Sequence, residues 1–391
     1  MGDPMIVEQV CDGSKAAGLP EAGLLPDCGG LIRRIAFSLP PAFLEARPSD
    51  WYRPLVPIGN LLQALAEDIE VFVLVEPQAC ASAEAWIGCL SLACPLRIIP
   101  VEGPARARQS PWTQDLFHVR APATAAHEQG KILARPGARI GPTLAAALGW
   151  QVADPGVDLD GGNQLVGPDF RLIGRSAIAG EAFPPGDGGA GAALLSLDPR
   201  PVHLFAYRAS DLGGAAMPVP DPRSLKGVYQ CGFHVDQYVT VTGLRHAGQP
   251  LLIVAEAQMA DAGTSPMVEQ IGRQLDASAR RLADQGFAVR RNPVPFCVTP
   301  DSGKRLPRLY NNLVLENAVR PGGERPLVFL PQFADVEPLD AYDAANRALW
   351  EELGFAVVPV HGFSQLASRN GALRCISKIV QRQSFQFDTE V

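Results

Sequence analysis

Three times along this chain a helix-like stretch runs into a Gly, an aromatic residue and the start of a strand: ALGWQV at 147–152, DQGFAV at 284–289 and ELGFAV at 352–357. Gly ends helices because it enters the left-handed region without a Cβ penalty. The last two copies continue into similar tails, GFAVRRNPVPF and GFAVVPVHGF. Helix-to-strand joints often use Gly, so one copy carries little information. Three copies with an aromatic in the same place are read as internal duplication of one α/β module.

The rest of the chain suits that reading. Short apolar runs rich in Val, Ile and Phe recur at 71–76, 96–101, 170–174, 202–207, 251–257, 312–317 and 326–331. They predict strands, most of them bounded by Gly, Pro, Asp or Asn. Residues 266–285 place Val268, Ile271, Leu275 and Leu282 at helical spacing, and 340–353 predict a second helix with an Asp near its start. Residues 1–30 are Gly/Pro-rich and read as an irregular lead-in, and 31–391 as a single domain. A chain of 391 residues, 47% of them hydrophobic, is ample for a large core.

The net charge of −7, with no Lys/Arg-rich stripe, argues against nucleic acid as the main ligand. No apolar run is long enough to span a bilayer, and MGDPMIVEQVCDGSKAAG lacks the basic start and apolar stretch of a secretion signal. A cytoplasmic location and no membrane partner are expected. No two of the eight cysteines form a C-x-x-C pair, so no metal site is indicated.

Four short constellations remain. PWTQDLF at 111–117 holds Trp112 and Asp115; the Asp could also cap a helix. DLDGGNQLVG at 158–167 leads from Asp158 and Asp160 into Gly-Gly-Asn163. That is a tight turn, or a place where backbone approaches a ligand while one of the two Asp residues projects into it. CGFHVDQYVTVTG at 231–243 sets His234 and Asp236 two apart before a strand-like run, where alternate side chains share a face. RNGALRCISKIVQR at 369–382 places Cys375 after a Gly-containing loop. Each has a plain structural reading: a cap, a turn, a surface His–Asp pair, a buried thiol.

Together and in this order, the four resemble the guanidine-modifying (pentein) superfamily of deiminases, dimethylarginine hydrolases and amidinotransferases. The matching positions are Asp115, Asp160, His234 with Asp236, and Cys375. WTQD, FHVDQYVTV and the tail Cys375, Arg382, Phe385, Phe387 resemble the catalytic domain of protein-arginine deiminases. The sequence departs in having Arg374 before the Cys, where protein-type and agmatine-type enzymes usually carry His. It also has Asp before Gly-Gly, where free-arginine and agmatine enzymes carry Glu. These departures bear on the substrate more than on the chemistry.

The resemblance implies an α/β fold, a five-bladed α/β propeller of pseudo-symmetric ββαβ modules. It also implies a hydrolase converting a guanidino group to a ureido group plus ammonia, with neither metal nor organic cofactor. Cys375 would be the nucleophile and His234 the acid/base. Asp160 would orient His234, with Asp158 left open as its alternative. Asp115 and Asp236 would grip the cation through charge-assisted hydrogen bonds. Trp112, Asn163 and Arg374 are candidates around the substrate, Asn163 equally a turn residue. Arg374 is a third possible source of charge favouring the thiolate, weighted low because neighbours on an extended chain point apart. Arg382 is read as structural. The partner is a guanidino small molecule or an arginine-containing peptide or protein, and a homo-oligomer is possible. An amidinotransferase passing the group to an amine, a non-catalytic propeller and a generic α/β enzyme are the competing readings. The Gly/Pro-rich loops 181–195 and 209–226 are candidates for selecting the guanidine's carrier.

Overall fold

A computed structural model describes residues 23–45, 53–103, 109–121, 130–178, 189–208, 228–300, 302–335, 338–383 and 389–391. Phe385, Phe387, residues 181–188 and the loop 209–226 lie outside the described residues.

The chain forms a mixed α/β fold of several small sheets, none closed. Strand β1 (Leu31–Leu39) is followed by helices α1 (Pro41–Leu44) and α2 (Leu55–Ala64) and by β2 (Glu70–Val75), parallel to β1. Helix α3 (Cys80–Ile87) then leads to β3 (Leu96–Pro100), parallel to β2. Antiparallel β4 (His118–Arg120) and β5 (Lys131–Leu133) come next, and α4 (Ile140–Leu148) crosses to β6 (Gln151–Ala153), parallel to β5. The same path is taken by β7 (Gln164–Val166), β8 (Arg171–Gly174), α5 (Gly189–Leu197) and β9 (Val202–Phe205). After a ribbon of β10 (Tyr207–Arg208) and β11 (Val228–Tyr229), it recurs in β12 (Val239–His246), β13 (Gln249–Met259), α6 (Pro266–Asp284) and β14 (Ala288–Val298). Strand β15 (Arg305–Pro307) adds to β14. The path recurs again in β16 (Val314–Leu315), β17 (Leu327–Pro331), α7 (Asp340–Glu352) and β18 (Ala356–Val360). Past α8 (Ser364–Ala367) and α9 (Leu373–Ile376), β19 (Lys378–Gln383) pairs antiparallel with β1, and β20 (Thr389–Glu390) pairs with β12. Parallel neighbours need a crossover, and a helix supplies it each time.

The three Gly joints share one geometry. Gly149, Gly286 and Gly354 have φ of 68°, 90° and 86°. The next residues, Trp150, Phe287 and Phe355, donate their N–H groups five residues back, to Ala145, Leu282 and Trp350 at 2.8, 3.1 and 3.0 Å. These six-to-one bonds satisfy orphan helix carbonyls, and each aromatic folds into the core.

Two expectations change. Only Val314–Leu315 of the run 312–317 pairs as strand; the side chains of Asn311, Asn312 and Asn317 around it bond to backbone groups instead. The end of the first Gly/Pro-rich loop is helix α5. Residues 23–30 of the lead-in are irregular yet packed: Leu24 and Cys28 are buried, Leu24 bridges to Arg120, and its N–H donates to Asp198. Composition gave no sign of this because the contacts are with residues far away in the chain.

Candidate active site

Four segments meet beside the β1–β19 edge. Thr113–Asp115 is a 3-10 turn whose Thr113 Oγ1 donates to the carbonyl of Ile376 at 2.9 Å and accepts from the N–H of Ser38 at 2.8 Å. That ties the Asp115 turn to β1 and to the Cys375 turn. Trp112 packs on the backbone of Gly371, which leaves no room for a side chain there. Gly161–Asn163 is a second 3-10 turn. Its two glycines are sterically required: a Cβ on Gly161 would overlap the Gln114 carbonyl, and one on Gly162 would lie 2.5 Å from His234 Nδ1.

His234 and Asp236 are not on a strand, as their spacing suggested. His234 is extended, and Val235–Gln237 is a 3-10 turn that precedes β12. Gln237 prevents the strand from starting earlier: its Oε1 accepts from the N–H of Phe233 at 3.0 Å, and its Nε2 donates to the Asn370 carbonyl at 2.6 Å. Arg374 and Cys375 likewise lie on a single helical turn, Leu373–Ile376, not on extended chain. Asn312 Oδ1 fixes that turn by accepting from the N–H groups of Ala372 and Cys375 at 3.2 and 3.0 Å. Arg374 and Cys375 therefore do not point apart, as neighbours on extended chain would; both reach Asp236.

His234 Nε2 lies 3.3 Å from Asp160 Oδ2, and its Nδ1 lies 3.9 Å from Asp115 Oδ2. Asp158 is mostly exposed and holds Arg135 at 2.5 Å, which also reaches Asp160 at 2.9 Å. Asp160, not Asp158, is thus the carboxylate against the imidazole. Asp115 Oδ1 accepts from the N–H of Gly162 at 2.7 Å. Asp236 is fully buried; its Oδ2 accepts from Arg374 Nη1 at 2.6 Å and lies 3.9 Å from Cys375 Sγ. Its Oδ1 has no hydrogen-bond partner among the described residues.

Asn163 turns away from the acids, its Nδ2 donating to Ser176 at 2.9 Å and its Oδ1 accepting from Gln230 at 3.0 Å. Arg374 points inward, bonded to Asp236, Asp27 and the carbonyls of Gly161 and Gln164. Arg382 donates to the carbonyls of Asp27, Gly29 and Leu315.

The electrostatics are uneven. Burial lowers the pKa of His234, but Asp160, Asp115 and Asp236 outweigh it and raise the group to about 9. The hydrogen bond from His234 pulls Asp160 down. Burial lifts Asp115 to about 6, with His234 opposing. Burial also lifts Asp236 despite Arg374. The Cys375 thiol is pushed well above 9.0 by burial and by Asp236 and Asp115. The site therefore gathers several acids, and these together with burial favour the thiol form of Cys375; a cation placed among them would offset their charge and favour the thiolate.

A cavity next to Arg374 is lined by Asp27, Gln114, His118, Gln164, Lys378 and Arg374 itself, with both polar and apolar neighbours. Asp27 and Asn312 lay outside every motif, and Gln114 and Gln237 stood inside WTQD and FHVDQYVTV with no role assigned, since their contacts with Gly161, Asp236, Arg374 and Asn370 form only in the folded chain. Among the described residues, no three His, Cys, Asp or Glu side chains gather to hold a metal, and no helix is long and apolar enough to cross a membrane.

No protein-family profile and no curated protein sequence matches the chain. Solved structures do. One, provisionally assigned as a peptidyl-arginine deiminase, is similar with a TM-score of 0.61 and 13% identity over 93% of this chain and 99% of its own. Another, provisionally assigned as an agmatine deiminase, gives a TM-score of 0.61 and 13% identity over 94% and 98%. At that identity the likeness is one of fold.

Proposed function

We propose that the protein is a guanidine-modifying hydrolase of the pentein type, with its repeated units arranged as a five-bladed propeller around this site. The observation that carries the reading is the fully buried Asp236 carboxylate, 3.9 Å from Cys375 Sγ, with one oxygen unpartnered among the described residues. A buried acceptor without a donor is costly, on the order of 1–3 kcal/mol. A flat cation with several N–H donors relieves that and brings its carbon to the sulfur. Asp115 supplies a second acid from another segment.

The steps follow from these positions. The bound guanidinium cancels the negative field of Asp236 and Asp115, which lowers the thiol pKa, and the thiolate attacks the carbon. His234, already protonated below about 9, gives its proton to the departing nitrogen, and ammonia leaves. A covalent amidino-thioether remains. His234 then takes a proton from water as the oxygen attacks, the C–S bond breaks, and a ureido product leaves. Asp160 holds the imidazolium in place. Trp112, packed on Gly371, supports the loop before Cys375. Asn163 holds the Gly-Gly turn through Ser176 and Gln230 and does not reach the substrate.

Free arginine, agmatine, an arginine-containing peptide and a natural-product guanidine should be screened for ammonia and ureido product, with no amine present. Release of both from one of them supports the hydrolase. Consumption of the guanidine only when an amine is added points to the amidinotransferase. Cys375→Ala should lose turnover, by about a thousandfold or more, and keep its melting temperature within a few degrees. Turnover that survives in this variant, or no reaction with any of the four compounds, rules the proposal out.

A further inference from the structure

Arg374 stands at the centre of a buried chain of charges that begins well outside the four motifs. Its Nε and Nη2 donate to Asp27 Oδ1 at 3.1 and 2.8 Å, and its Nη1 donates to Asp236 Oδ2 at 2.6 Å. Both terminal nitrogens also reach the Gly161 carbonyl at 3.3 Å, and Nη2 reaches the Gln164 carbonyl at 3.0 Å. A guanidinium with its donors used in this way is a fixed strut, not a group free to bind a ligand.

Asp27 is itself held tightly. Its N–H donates to the Val166 carbonyl at 2.9 Å, its Oδ2 accepts from the N–H of Val166 at 2.7 Å, and its carbonyl accepts from Arg382 Nη2 at 2.8 Å. Gly29, two residues on, donates its N–H to Asn317 Oδ1 at 2.5 Å. One end of the relay is therefore anchored to β7 and β19, and the other ends at a carboxylate oxygen 3.9 Å from Cys375 Sγ. A planar guanidinium bonded to two acids on different edges has one orientation; bonded to one acid, it can turn about that contact.

We propose that Asp27 is a positioning residue of the active site, acting through Arg374 to fix the Asp236 carboxylate and to offset part of the Arg374 charge. This rests on the guanidine-hydrolase reading. It extends that reading to the segment 24–30, which belongs to none of the motifs.

The charged groups bearing on the thiol are Asp236, Asp115 and Arg374. Lys378 lies behind Arg374, and His234 lies beyond Asp115. Removing the negative charge of Asp27 leaves Arg374 less neutralised, so the thiolate becomes easier to form. At the same time the carboxylate that receives the substrate is less well aimed. The two effects are read separately.

Full-length wild type and Asp27→Asn would be compared in ammonia release and in the pH dependence of iodoacetamide alkylation at Cys375, followed on its own peptide by mass spectrometry. Asp27→Asn should raise KM about tenfold with kcat changed less than about threefold. It should move the alkylation midpoint down by about half a pH unit or more. If Asp27→Asn does not fold, Asp27→Glu keeps the charge but displaces it, and should raise KM while leaving the midpoint in place. An unmoved KM in a folded variant overturns the proposal. Alkylation needs no guanidine. A shifted midpoint in a protein that releases ammonia from none of the four compounds would keep the relay and discard the function, whereas wild-type turnover with KM and midpoint unmoved would discard the relay alone.

Discussion

Gly162 packs against the ring of His234, and the fit leaves no space for a methyl group. Gly162→Ala must push the imidazole off Asp160 and Asp115 or move the turn. Its kcat/KM should fall about a hundredfold or more, with much less effect on thermal stability, because the displaced ring is partly solvent-facing. Steady-state kinetics beside a melting curve checks this. His234 also sets a pH signature. Its folded pKa, about 9, lies above the ordinary 6.5, so its contribution to stability is fully present below 6.5 and is lost as pH rises through 9. Asp115, raised from 3.8 to about 6, loses its contribution in a separate and lower window. Lys378, lowered to about 8, works in the opposite sense at the alkaline end. The difference between wild type and His234→Gln isolates the imidazole. The gap in urea midpoint between them should narrow from pH 6.5 to 9, and a gap that stays constant would show that His234 is not held protonated.

The helix ends test the shared geometry of the repeated joints. At Gly149, Gly286 and Gly354 a Cβ would meet nothing within 4 Å, yet φ is positive at all three. Alanine there should destabilise through backbone strain alone, by about 1 kcal/mol at each site. Gly272 is the contrast. It lies inside α6, and its Cβ would touch only Ala257 at 3.9 Å. Gly272→Ala should stabilise by about 0.5–1 kcal/mol through helix propensity. Urea unfolding of the four single variants decides the matter; a loss at Gly272 or a gain at any of the three joints contradicts the account. The same elements show where periodicity misleads. The run from Gln237 to Gly243 begins as strand only at Val239, because Gln237 spends both ends of its amide on Phe233 and Asn370.

At the scale of the molecule, β19 is the edge strand beside β1 in an open sheet, so the first and the nineteenth strands share one ladder, from Leu31 opposite Gln383 to Ala36 opposite Lys378. Truncation after Ser377 would strip a neighbour from β1 and remove Arg382, taking its N–H donors from the carbonyls of Asp27, Gly29 and Leu315. Circular dichroism in urea should then show no cooperative transition; a truncated protein that unfolds in one sharp step would show the β1–β19 pairing to be dispensable. Much of this architecture was legible locally. Helices 266–285 and 340–353, most strands and the three Gly joints follow from side-chain periodicity and from the left-handed freedom of Gly, which act between near neighbours. The order of Asp115, Asp160, His234, Asp236 and Cys375 pointed to one site only through its resemblance to guanidine-modifying enzymes, because each motif by itself had a plain structural reading. Folding alone decided which aspartate faces the imidazole, that Arg374 is spent on Asp27 and Asp236, and that residues 24–30 belong to the core. Those outcomes depend on contacts across hundreds of residues, such as Arg374 with Asp27, and local composition carries no term for a partner that only the folded chain brings within hydrogen-bond reach.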